Sequence, residues 1–360
     1  MPSARDSAQA RLSGRGVPGP MGDREGGAGS GSGGRPGVRN SDGGPLACAR
    51  LRYPAHPVAS PLAPMSLLRV ALILSVVAAS TVLHVVPLLA VALLKALLPG
   101  RRLRLACNRL LTAIAESWIA VNNFLIDHCS GARLEVAGVG QVQADGHYLV
   151  LANHQSWVDI LVLQKAFNRR IPLMRFFLKR ELIWVPLLGL AWWALDFPFM
   201  GRHTRAQIAR NPELGRRDME ATRRACEKFR DIPVAVMNFV EGTRFTPDKH
   251  ARQDSPYRHL LKPKSGGVAY VLDAMGDALH GILDVTIAYP GGRPTLFDLL
   301  AGRMRSVRVS VRQRLLPADI PRDGDEDERA ARARFQQWMN GIWREKDEEM
   351  ARLLESAGGA

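Results

Sequence analysis

Cysteine is scarce in this chain: Cys48, Cys107, Cys129 and Cys226 stand in unlike contexts, without a C-x-x-C pair. That spacing excludes a zinc ribbon and gives no basis for a disulfide framework, and it fits a reducing compartment. No Gly-x-Ser-x-Gly is present, so the nucleophile elbow of a serine hydrolase is missing. The arginines are dispersed and no nucleic-acid reader motif accompanies them, which argues against a nucleic-acid partner. No internal repeat is visible. Uncharged apolar runs are rare too, with Val70 to Leu94 the only long one. Residues 1–64 hold almost no apolar periodicity and are dominated by Gly, Pro, Ser, Ala and Arg, as in the run from Gly26 to Gly34. Such a segment buries too little surface to offset chain entropy and is expected to be disordered, or to be an extension ahead of a start at Met65.

What is abundant is positive charge. A net +15 and a pI near 10.4 call for an anionic partner or surface, and the adjoining apolar run favours phospholipid. Val70 to Leu94 is long enough for a hydrocarbon core of about 30 Å. Pro87 removes a helix hydrogen bond and His84 is costly in lipid, so a single crossing and a kinked or re-entrant anchor both stand as readings. The cluster Lys95, Arg101, Arg102 and Arg104 follows the run, against Arg69 before it. The positive-inside tendency then puts the remainder on the cytoplasmic side.

From Leu103 to Ile126 apolar residues recur at helical spacing, with Leu103, Leu110, Leu111, Ile114, Trp118, Val121 and Leu125 forming a stripe. Beyond it, strands expected at 133–136, 148–152, 233–240, 282–288 and 307–311 alternate with helices at 160–167 and 268–274. The pattern predicts an α/β domain with a mixed, largely parallel sheet. A charged helix at 329–354 is expected to dock through Trp338 and Trp343. The boundaries read 1–64 extension, 65–130 anchor and amphipathic helix, 131–325 α/β domain, and 326–360 C-terminal helix.

Two turns carry possible chemistry. Asn153-His154-Gln155-Ser156-Trp157-Val158-Asp159 follows the strand ending at Ala152. An imidazole whose second nitrogen is held by a carboxylate can take a proton from an alcohol. Five residues of helix rotate about 500°, so His154 and Asp159 meet only if the chain bends between them. The plainer reading makes Asn153 or Ser156 a helix N-cap and His154 a turn residue. The second turn, Glu241-Gly242-Thr243-Arg244, also follows an apolar strand. There Gly242 lets backbone approach a ligand, Thr243 offers a hydroxyl and Arg244 a planar fork for phosphate oxygens. The alternative is a surface pair between Glu241 and Arg244. Arg202, after Phe199-Met200-Gly201, is a candidate second phosphate ligand, and Lys264 precedes a helix start at Gly266 or Gly267, where anions are attracted.

Together these blocks resemble the glycerolipid acyltransferases related to bacterial 1-acylglycerol-3-phosphate acyltransferase (PlsC-like). Asn153-His154 with Asp159 and Glu241 to Arg244 look like the two signature blocks, Phe199 to Arg202 the intermediate block, and Lys264-Ser265-Gly266 the Lys-x-Gly element. Longer runs, such as Phe177 to Pro186 and Thr222 to Arg230, resemble the YihG-type branch of the bacterial inner membrane. The similarity extends from Met65 to the C-terminus. Val240 replaces a common proline, Phe245 a frequent serine and Asp196 a usual glycine, and Thr286 to Pro290 is less proline-rich than the fourth block.

The resemblance implies the glycerolipid acyltransferase fold and acyl transfer from acyl-CoA or an acyl carrier protein thioester to the hydroxyl of a lysophospholipid, 1-acylglycerol-3-phosphate first among them. His154 would be the general base and Asp159 its orienter. Arg202, Thr243, Arg244 and Lys264 would hold phosphate, Gly242 would shape the turn, and Glu241 would fix Arg244 or bind glycerol. No metal or cofactor is implied. Two further readings stay open: another lysophospholipid as acceptor, or a non-catalytic membrane protein binding anionic lipid. The aromatic stretch from Leu182 to Phe199 reads as an acyl-chain tunnel or an interfacial face, flanked by Arg169, Arg170, Arg175, Lys179 and Arg180.

Overall fold

The computed structural model describes residues 64–355, apart from 141, 202–206, 208–209, 231 and 318–326. The expectation for residues 1–64 falls outside this set except at Pro64, which opens the first helix.

Six strands form the main sheet: β1 (Arg133–Ala137), β2 (His147–Ala152), β3 (Met174–Phe176), β6 (Val234–Phe239), β7 (Gly281–Ala288) and β8 (Ser306–Arg314), in the order β1-β8-β7-β2-β6-β3. A separate parallel pair joins β4 (Leu178–Lys179) to β5 (Phe199–Met200). β2 runs parallel to both β6 and β7, and β3 runs parallel to β6. β8 is antiparallel to β7, with β1 parallel to β8. The sheet is thus mixed and largely parallel, as the alternation of strands and helices predicts.

Period-two alternation divides the core between the faces. On β2, Tyr148, Val150 and Ala152 face the helix Val158–Phe167, while Leu149 and Leu151 face the helices Pro212–Phe229, Gly266–Met275 and Glu328–Glu355. The sequence pattern did not mark Pro212–Phe229 as a helix, although Asn211 caps it by accepting from Glu213 N and Pro212 sits in its first turn.

The apolar run forms one unbroken helix, Pro64–Leu97, continuing through Pro87. Its stretch Ser66–Leu97 is long and apolar enough to cross a membrane. A short connection turns the chain into Arg101–Leu125, which packs back along it. His84 bonds within this seam, to Ser80 O at 2.7 Å and Ser117 Oγ at 3.3 Å, and Trp118 Nε1 donates to Thr81 Oγ1. The buried face of the second helix is Cys107, Leu111, Ala115, Ile119 and Asn122. The predicted stripe is therefore rotated: Leu111 is buried but Leu110 is exposed.

The C-terminal helix docks by Trp343, which is fully buried, with Trp338 half-buried and stacked on Phe335. Next to Trp343, Lys346 is buried as well. Its Nζ lies 2.5 Å from Asp284 Oδ1 on β7 and donates to Val285 O, while Arg314 of β8 takes Asp284 Oδ2 at 2.9 Å. Removing one partner of such a buried array leaves charge uncompensated. Lys346→Ala is expected to lower the unfolding free energy by about 3 kcal/mol in chemical denaturation, whereas exposed Arg352→Ala should change it by under about 0.5 kcal/mol.

Candidate active site

Register brings the two signature turns together. Ala152 pairs with Phe239, the last residues of β2 and β6, and with Val285 of β7, so these two strands release their chains together beside β7, which runs parallel to β2 and three residues further. Ligand sites of open α/β sheets form at such carboxyl ends. The Asn153 side chain extends the ladder by one more pair, donating to Ile287 O at 2.9 Å and accepting from Ile287 N at 2.8 Å. With the backbone freed from the sheet there, residues 153–157 are non-helical until Val158 begins the helix.

That bend closes the five-residue gap. His154 Nδ1 lies 2.8 Å from Asp159 Oδ2, which also accepts the backbone amides of Gln155 (2.6 Å) and Ser156 (2.9 Å). Tyr289, just beyond β7, donates its hydroxyl to Asp159 Oδ1 at 2.6 Å. A carboxylate surrounded by donors requires Nδ1 to carry the imidazole proton, which leaves the Nε2 lone pair free to accept. The ring stacks on Phe239, 3.9 Å between centroids and 14° from parallel, and its side chain keeps 14% exposure. Burial and the neighbouring Asp159 carboxylate push the Tyr289 hydroxyl well above its ordinary pKa, so it stays a donor. Ser156 is committed elsewhere: its hydroxyl donates to Pro294 O and accepts from Val158 N. The N-cap expected at Asn153 or Ser156 is instead Trp157: Asn153 is spent on β7, and Ser156 takes the first helical amide from one residue before the cap.

At the end of β6, Gly242 has φ +69°, and a Cβ there would stand 3.1 Å from Lys264 Nζ. The left-handed backbone calls for glycine there, while the flexible end of the lysine lying over it would have to give by a few tenths of an ångström to admit a Cβ. Lys264 N donates to Val240 O, and Val240 N donates to Ala152 O, a bond the proline common at this position would lack. Arg244 stacks on the ring of Trp157, 4.3 Å from its centroid. Thr243 Oγ1 accepts from Lys249 Nζ at 2.8 Å, and Lys249 also donates to Arg244 O. Phe245 N donates to His154 O at 2.8 Å, tying one turn to the other, and its ring lies under Arg293.

Two expectations for Glu241 are corrected. It forms no surface pair with Arg244 and does not fix it, because its side chain is fully buried and the Arg244 guanidinium rests on Trp157 instead. Neither Glu241 oxygen has a hydrogen-bond partner of sound geometry among the described residues. Burial and then the Asp159 charge push its carboxyl well above the usual range, with the His154 and Leu261 backbone and Lys346 opposing.

Arg202 lies outside the described residues. Arg175 is not part of a basic face: it is buried, donates from Nε to Leu195 O, stacks on Phe229, and burial lowers its pKa to about 10. Asp196 stands at φ +59°, which explains the usual glycine there, and binds Lys95 at 2.8 Å and Lys228 at 3.6 Å. Trp184 and Trp193 point outward, 85% and 59% exposed, which favours the interfacial reading over a tunnel at those two residues. Sequence reasoning missed Tyr289, Lys249 and Trp157 as site residues. Tyr289 carried a signal, a polar aromatic directly after an apolar strand.

A carboxyl whose folded pKa exceeds its unfolded value destabilises the fold increasingly as pH rises from the unfolded value near 4.5 toward the folded one. Glu241→Gln removes that term. Its unfolding midpoint relative to the parent is therefore expected to rise as pH increases above 4.5, as scanning calorimetry at several pH values would show.

Residues 133–290 match a family model described as Acyltransferase. Lysocardiolipin acyltransferase 1 of Danio rerio is 29% identical over 257 residues, 68% of this chain and 61% of that protein. The 1-acyl-sn-glycerol-3-phosphate acyltransferase gamma of Mus musculus is 27% identical over 214 residues, 56% of this chain and 52% of that one. The matched segment thus spans between half and two thirds of these relatives. The solved structure of PlsC, the 1-acyl-sn-glycerophosphate (LPA) acyltransferase of Thermotoga maritima, aligns over 82% of this chain and 96% of its own at 17% identity, with a TM-score of 0.45. Both signature blocks, at adjacent strand ends, lie within the segment that matches the Acyltransferase model.

Proposed function

We propose that this protein transfers a fatty acyl group from a thioester, acyl-CoA or acyl carrier protein, to the free hydroxyl of a lysophospholipid, with 1-acylglycerol-3-phosphate as the acceptor. The observation that carries the reading is the His154–Asp159 pair at 2.8 Å, set at the edge where the Glu241–Arg244 turn also ends. His154 Nε2 takes the hydroxyl proton as the oxygen attacks the thioester carbonyl. The C–S bond then breaks, and the imidazolium returns the proton to the departing thiolate. Asp159 holds the Nδ1–H tautomer and stabilises the cation formed at the ring. Arg244 and Lys264, with Lys249 beside Thr243, supply positive charge for the acceptor phosphate. Arg202 is carried as a further phosphate ligand on the resemblance alone.

Similarity to a lysocardiolipin acyltransferase favours a second reading, in which the acceptor is a larger lysophospholipid. The departures at Val240, Phe245 and Thr286 to Pro290 fall where the headgroup would lie. The apolar helix, with Leu72, Leu83, Val86 and Leu93 exposed, is assigned to a bilayer, with the site on the cytoplasmic side of a bacterial inner membrane. Trp184 and Trp193 belong at headgroup depth on this reading. Brominated-lipid quenching of Trp184, read as the difference between the parent and Trp184→Phe, is expected to be strong for bromines near the headgroup and absent if the residue faces water.

Purified protein in mixed micelles, given lysophosphatidate or other lysophospholipids with acyl-CoA or acyl carrier protein thioesters, tests the activity. His154→Ala should lose at least about 10²-fold in kcat. Retention of transfer within tenfold would remove the general-base role. Folded parent protein that transfers to no acceptor would favour an anionic-lipid-binding role instead.

A further inference from the structure

The C-terminal helix Glu328–Glu355 lies beyond the matched residues 133–290, yet it holds one wall of the site. Residues 257–265 pass between it and the two signature turns as a non-helical segment. On the helix side the bonds recur along the segment. The Tyr257 hydroxyl donates to Asn340 O, and Asp347 accepts the amides of Arg258 (2.6 Å) and His259 (2.7 Å) through its two oxygens. Trp343 Nε1 donates to Leu261 O at 3.1 Å. Gln336 then takes both residues flanking Lys264, donating to Pro263 O at 3.2 Å and accepting from Ser265 Oγ at 2.6 Å. On the opposite side His259 O accepts from Gln155 Nε2, Lys264 N donates to Val240 O, and the Lys264 side chain lies over Gly242.

A lysine is a flexible point charge, and its usefulness toward a phosphate depends on where its backbone is held. Here the carbonyl before Lys264 and the hydroxyl side chain after it are gripped by a single amide from a helix distant in sequence. We propose that Gln336 is a positioning residue for acceptor binding: it fixes Lys264 over the Gly242 turn, so that the C-terminal helix is part of the acceptor site. The inference rests on Lys264 meeting the acceptor phosphate, as in the function proposed above.

The test is a double-mutant cycle on the full chain with 1-oleoyl lysophosphatidate and oleoyl-CoA or oleoyl-acyl carrier protein. Lys264→Gln is expected to raise KM for lysophosphatidate about tenfold, the scale of a hydrogen bond to a charged group. Gln336→Leu should raise the same KM several-fold with kcat within about twofold, and the double variant should match Lys264→Gln alone, because the two act through one contact. Gln336→Glu, which keeps the acceptor for Ser265 but loses the donor to Pro263, should fall between parent and Gln336→Leu and serves if the leucine variant does not fold. Multiplying losses, or a fall in kcat with KM unchanged, would overturn the positioning role while leaving the acyltransferase reading intact. An unchanged KM in Lys264→Gln, with transfer active, would do the same. Absence of transfer by the parent protein would remove the functional reading and this inference with it.

Discussion

Most of the site hangs on one buried carboxylate. Asp159 has no exposed surface, and a charge in that position costs several kcal/mol unless donors replace its water. Four do: the Gln155 and Ser156 amides, His154 Nδ1 and the Tyr289 hydroxyl. Each of those bonds also has a structural result. The two amides shape the turn that lets residues 154 and 159 meet, the imidazole is held in one tautomer, and Tyr289 fastens the end of β7 to the start of the helix Val158–Phe167. The electrostatic demand of a single group thereby aligns the ends of two strands and a helix.

Glu241 is the contrasting case. It too is fully buried, and it stands close enough to feel the Asp159 charge, but no donor of sound geometry reaches its oxygens among the described residues. Of these two carboxyl groups in one low-dielectric region, the one without donors is pushed toward its neutral form by burial and by the charge of the other. Glu241, at the start of its turn, is held toward its neutral form, which keeps a second negative charge away from Arg244, Lys249 and Lys264.

The sheet and the two turns were legible in the sequence because their signals are local. Apolar runs of strand length end directly before His154 and Glu241, and period-two burial on β2 follows from Tyr148, Val150 and Ala152 alternating with Leu149 and Leu151. What was not legible depends on register between distant segments. Nothing near Glu241 in sequence indicates that its carboxyl turns inward while Arg244 finds Trp157. Nor does the pattern of the last helix disclose that Gln336 and Asp347 join the expected Trp343 on one loop, since polar residues on a terminal helix ordinarily point to solvent. Arg175 misled for a related reason: it reads as one of a basic group, but β3 turns it under Leu195 and Phe229.

Asp196 shows what the exchange of a glycine can accomplish. Its left-handed backbone carries strain of about 1 kcal/mol or more for a non-glycine residue, and a glycine would relieve it. The aspartate instead links Lys95, near the end of the long apolar helix, with Lys228, near the end of Pro212–Phe229. One strained residue thus acts as a strut. The exit of the apolar helix is thereby tied to the residues that lead into β5 and, through them, to the helix Pro212–Phe229.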